Sequence, residues 1–146
     1  MKKTSGKLSG IWYVGAAILT VALIGICVWT WMVFSPAPTE PPGMESAVNA
    51  YVQQKQSGVN NNLSKCSHQV VALQKMDTAR TVLFADTQCS FVGVSGIASS
   101  GRFPARLVMA RTDSGYAVEG YKAVYFGGTE MIAPDWVIAR YHRLDD

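Results

Sequence analysis

Hydrophobic and polar positions fall into three regimes along this chain. From Ile11 to Phe34 the positions are almost continuously apolar and none is charged. From Met44 to Ser57 apolar residues recur at helical spacing, with Met44, Ala47, Val48, Tyr51 and Val52 on one face. Beyond His68 the apolar residues alternate with polar ones in short runs rich in β-branched and aromatic side chains, the pattern of strands.

The first regime predicts a membrane-spanning helix. At about 1.5 Å per residue, a helix over 11–34 is roughly 36 Å long, enough for a hydrocarbon core of about 30 Å. Trp12 and Tyr13 mark one end and Trp29 and Trp31 the other, where amphipathic rings favour the headgroup layer. Lys2, Lys3 and Lys7 precede the run without an acidic residue, which predicts a cytoplasmic tail over 1–10 and an exported C-terminal part. The run exceeds the apolar length of a cleaved signal peptide, and Pro38 follows the small-residue triplet Ser35-Pro36-Ala37, so the reading is an uncleaved signal anchor. Residues 35–43, SPAPTEPPG, predict an extended, semi-rigid spacer, because proline restricts its neighbours and lacks an amide donor.

Residues 44–146 are expected to form one small domain. Glu45 favours the start of the first helix, Gly58 its end, and Gly58–Ser64 a polar loop that includes the sequon-like Asn62-Leu63-Ser64. Val70–Met76 reads as a helical turn or a strand. Asp77-Thr78 reads as a turn. Thr81–Ala85 and Phe91–Ile97 read as strands separated by Asp86-Thr87-Gln88, and Gly93 and Gly96 suggest a bulge or close backbone approach. A hairpin is predicted over Arg102–Phe126, turning at Asp113-Ser114-Gly115. In the preferred register Arg111 faces Tyr116, Met109 meets Val118, Arg106 meets Tyr121 and Phe103 meets Val124. A one-residue slip would set Arg106 against Lys122, two like charges. That register predicts a buried face of Phe103, Leu107, Met109, Val118 and Val124, with Pro104 near an edge or a bulge. Trp136–Tyr141 alternates and is expected to be a last strand.

Composition changes this picture little. The formal charge is +3. From Glu40 onward four Lys and six Arg offset four Glu and six Asp. The basic surplus is therefore a topology signal in the tail, and it does not predict a nucleic-acid surface.

The candidate chemistry is sparse. Cys66 and Cys89 fall in the exported part and predict a disulfide, with Cys27 inside the span. Cys66-Ser67-His68 is also the spacing of half a metal site or a Cys-His pair, although the disulfide would consume the thiol. His142 is expected on the surface. Asp77, Asp86 and Asp113 are placed at turns, capping local amides. No phosphate loop or nucleophile elbow occurs, so the reading is non-enzymatic, with no catalytic residue, no metal and no cofactor expected. Arg106, Tyr121, Tyr125 and Trp136 combine arginine and aromatic residues late in the domain and form a candidate protein interface.

The fold expected is α+β: a single transmembrane helix, then one or two helices on a curved antiparallel sheet of four to six strands. This helix-on-sheet order resembles the cystatin-like or NTF2-like arrangement. The resemblance implies an anchored accessory subunit of a bacterial envelope assembly of the secretion or conjugation type, seated in the inner membrane with its domain in the periplasm and other envelope proteins as partners. A tethered immunity or inhibitor protein and a ligand-binding sensor domain are the alternatives.

Overall fold

A computed structural model describes residues 8–58, 63–92, 96, 98–124 and 132–144. The chain divides into two compact units, Met1–Ser35 and Pro36–Asp146. The first contains one helix, α1 (Leu8–Phe34). Its stretch Tyr13–Phe34 is long and apolar enough to cross a membrane. A soluble core helix hides its apolar side chains, whereas here Ile18, Leu19, Val21 and Ile26 are all exposed, at 60% or more. Tyr13, Trp29 and Trp31 are also exposed on this helix, and Trp12 lies within it.

The second unit is α+β, as expected. It begins with α2 (Met44–Ser57), followed by β1 (Leu63–Lys75), β2 (Arg80–Val92), β3 (Ala98–Thr112), β4 (Gly115–Ala123) and α3 (Asp135–Arg143). The four strands form a curved antiparallel sheet in the order β1-β2-β3-β4, so each strand pairs with its predecessor. Gly43 starts α2 with φ 84°, a left-handed conformation that glycine adopts without a Cβ penalty. The apolar stripe read from the sequence packs on the sheet. Met44, Val48 and Val52 are buried among Leu83, Leu107 and Met109, while Ala47 and Tyr51 pack at the margin.

The opposite face of the sheet carries α3, where the sequence pattern predicted a strand. Asp135 sits in the first turn, Arg140, His142 and Arg143 in the last, and both sets complement the helix dipole. Val137 and Tyr141 lie four positions apart on one side of the helix and pack on Val71, Val82 and Phe84. A short alternating run fits both periods, and the complementary charges at its two ends favour helix here.

Other expectations are corrected or, for Val70–Met76, resolved in favour of a strand. Residues 80–92 form one continuous strand, so Asp86-Thr87-Gln88 is mid-strand and Asp86 is buried, not turning. The described end of that strand is Val92, and Gly96 follows in the β2–β3 connection with φ 75°. Gly93 and Ile97 lie outside the described residues, while Val70–Lys75 belongs to β1.

The β3–β4 register also changes along its length. Arg111 faces Tyr116 and Met109 faces Val118 as expected, but a bulge between Val108 and Met109 inserts Glu119. Beyond it Leu107 faces Tyr121 and Arg106 faces Lys122. Val124 donates its amide to Pro104, not to Phe103. Charge repulsion between half-buried Arg106 and exposed Lys122 is worth on the order of 1 kcal/mol, whereas burying an aromatic side chain is worth roughly 2–3 kcal/mol. The bulge gains the second by accepting the first. Of the predicted buried face, Phe103, Leu107 and Met109 are buried, with Val118 and Val124 half-buried. Pro104 stands on the inner strand β3, with its missing donor turned to the side where β4 ends.

Candidate functional site

The proposed interface residues do not form one surface. Tyr121 lies on the α2 side of the sheet, packed against the core, with its ring 5.7 Å from that of Tyr51 in an edge-to-face arrangement. Arg106 is half-buried on the other side, because adjacent strand residues point to opposite faces. Trp136 is half-buried against the Val71–Phe84 cluster under α3. Tyr125 lies outside the described residues. The bulge at Glu119 is the physical reason for the Tyr121 correction: one extra residue exchanges inward and outward positions over the rest of β4.

Cys66 and Cys89 are joined in a disulfide directly across β1 and β2, both buried. This bond removes the thiol from any Cys-His chemistry. The His68 ring is used elsewhere. Its Nδ1 lies 2.7 Å from the side-chain oxygen of Asn49 on α2, and its Nε2 lies 2.9 Å from the Glu40 carboxylate. The two side chains are nearly sealed, with 1% of His68 and 12% of Glu40 exposed. A buried polar group without a partner carries a penalty of about 1–3 kcal/mol, so this chain of contacts holds Glu40 in place.

Glu40 belongs to the proline-rich segment 35–43 that reads as a spacer. From Pro36 onward this segment is part of the domain. The Pro36 carbonyl accepts a hydrogen bond at 3.1 Å from Arg140 on α3, and Ala37 lines a narrow crevice with Val70, Val71 and Leu144. Arg140 is itself 5% exposed, and burial together with nearby Arg143 pulls its pKa below the ordinary arginine value. The carbonyl contact and the charge of the helix C-terminus offset that burial.

A polar recess lies on the α3 face. It has a volume of about 380 Å³ and is lined by Ser67, His68 and Gln69 of β1, Asp86 and Gln88 of β2, Arg102 of β3 and Leu144 after α3. Alternation along three neighbouring strands brings the Ser67, Gln69, Asp86, Gln88 and Arg102 side chains to one face. Arg102 donates Nε to the Asp86 carboxylate and Nη2 to the Leu144 carbonyl at 3.2 Å. The salt bridge therefore ties the end of α3 to the sheet and forms one wall. The floor offers hydroxyl, amide, carboxylate and guanidinium groups, which both donate and accept hydrogen bonds. Among the described residues no group of three or more His, Cys, Asp or Glu is arranged to hold a metal ion.

Sequence reasoning missed this groove. Its one available signal was Ser67, Gln69 and Gln88 at alternating positions beside the cysteines, and the misplaced turn at Asp86 hid the third strand. Asp77 and Asp113 stand at turns as expected. Asp77 accepts the amides of Ala79 and Arg80 and pairs with the Arg80 guanidinium. His142 is exposed.

No protein-family model, curated protein or solved structure matches this chain.

Proposed function

We propose that this protein is a single-pass membrane protein, N-terminus inside, whose disulfide-bonded domain works outside the cytoplasm through contacts with other envelope proteins. In this reading it is a non-enzymatic accessory subunit of a bacterial inner-membrane assembly of the secretion or conjugation type. The observation that carries the reading is the exposed apolar helix followed within the same chain by a domain stapled across Cys66–Cys89. An uncharged span of this kind suits lipid, and a buried disulfide suits an oxidising compartment. The basic tail before the span supports the orientation.

The groove beside Asp86 and Arg102 supports a second reading, a sensor domain that binds a small polar ligand. Its volume lies within the range of ligand pockets, although its polar lining is unlike the apolar majority of them.

Crosslinking in native membranes, with recovery on a C-terminal tag, tests the first reading. Several co-purifying envelope proteins support it. Recovery of the protein alone sinks it and moves the question to small-molecule binding in the groove.

A further inference from the structure

The proline-rich segment 36–43 does more than connect. Its start is bonded to Arg140 on α3, which packs on one face of the sheet. Its end leads into Met44 of α2, buried on the other face. Between these points Ala37 lies by Val70 and Val71, and Glu40 reaches His68. The segment therefore passes from one face to the other around the outer edge of β1, at residues 68–71.

That edge has a defined polarity. Cys66 and Cys89 are direct partners with Cα atoms 4.1 Å apart, the short spacing of a pair that does not exchange backbone hydrogen bonds. Cys66, His68 and Val70 therefore point their N–H and C=O groups away from β2. The far side of the sheet agrees with this phase. Val124 donates to Pro104, so Pro104 faces β4 and its neighbour Ala105 faces β2. Ala105 pairs with Ala85, and Ala85 is opposite Val70.

Among the described residues no backbone hydrogen bond joins segment 36–43 to β1. Pro36, Pro38, Pro41 and Pro42 have no amide hydrogen to give. The segment covers the edge without pairing with it, which is one way that proteins keep a sheet edge from recruiting another chain. We propose that β1 is a strand-accepting edge and that segment 36–43 is the guard that holds it shut. The occupant that fits when the guard is displaced is the same β1 edge of a second copy of this chain, running antiparallel and bonded to His68 and Val70, because two copies of one edge present complementary N–H and C=O groups to each other. This proposal deepens the protein-contact reading and rests on it.

The test uses the full chain in detergent micelles, with a second copy as the strand donor. Glu40→Ala combined with Pro36→Ser, Pro38→Ser and Pro41→Ser removes the tie to His68 and the stiffness. Sedimentation is expected to show self-association at least about tenfold tighter than wild type, the gain that one or two added hydrogen bonds supply. The His68 and Val70 amides should become protected from exchange as concentration rises. Adding Val70→Pro, which deletes an outward donor, should return the variant to wild-type behaviour. Glu40→Ala alone, a milder change that leaves the prolines intact, should shift association in the same direction by less. The proposal is overturned if the folded variants associate no more than wild type, or if their association survives Val70→Pro. Native-membrane crosslinking that recovers no partner would remove the protein-contact reading and leave this test intact, because it uses only copies of the chain.

Discussion

The Tyr141 hydroxyl donates across the sheet to the carbonyl of Ala85 at 2.9 Å, with the Ala105 carbonyl 3.2 Å away, and so pins α3 over the β2–β3 seam. The ring is 7% exposed. Burial, and then the nearby Asp86 carboxylate, raise its pKa well above the ordinary tyrosine value near 10. A raised folded value means that the contribution is fully present below pH ~10 and is lost as pH climbs towards the folded value. Tyr141→Phe should lower stability by about 1–2 kcal/mol at neutral pH and remove this alkaline loss. Urea unfolding at neutral and alkaline pH checks both; an unchanged alkaline limb would assign the loss to another group.

The Cys66–Cys89 bridge closes a loop with a sequence separation of 23. Loop-closure entropy gives it a worth of about 3 kcal/mol. Replacing both cysteines with alanine, or reducing the wild type, should lower the melting temperature by on the order of 10–20 °C. Thermal melts with and without reductant measure it.

Tyr121 and Arg106 should now behave differently from each other. Tyr121→Ala empties space beside Tyr51 and the α2 core and should cost about 3–5 kcal/mol. Arg106→Ala should change stability by less than about 0.5 kcal/mol, because Lys122 opposite it is a like charge. Equal losses from both in equilibrium unfolding would contradict the bulged register.

At the β1–β2 turn, amide hydrogen bonds from Ala79 first, and then the Arg80 guanidinium, hold the Asp77 carboxyl below its ordinary value. A depressed folded value contributes stability that is present above pH ~4 and is lost as pH falls through the folded value. Asp77→Asn should therefore flatten the acid limb of the unfolding curve and leave the neutral region little changed. The site is fully exposed, so the effect is small, and an acid titration followed by fluorescence detects it.

Much of the fold was legible because local signals agreed with it. The uncharged run at 11–34, the stripe from Met44 to Val52, the Asp113 turn and the Cys66–Cys89 pair each carry their own evidence in spacing or residue type. What failed was decided at long range. Asp86 resembles a turn residue until Arg102, sixteen positions on, gives its buried carboxylate a partner. Trp136–Tyr141 fits a strand until the sheet supplies a face for Val137 and Tyr141. The Glu119 bulge carries no sequence mark, and it alone separates Tyr121 from the surface on which Arg106 stands. The groove needed three strands in register and the end of α3, so no single window of sequence contained it.

The order β1-β2-β3-β4 also has a kinetic meaning. Each strand joins the one made just before it, so the sheet can grow by short loop closures, the cheapest kind in chain entropy. The bond from Arg140 to Pro36 spans 104 residues and cannot form until the last helix docks. Assembly can therefore proceed through local hairpins, with the contact between the domain's beginning and end completed once α3 is in place. The domain's first and last segments are joined by a contact that needs both to be docked, while each keeps its own ties to the sheet.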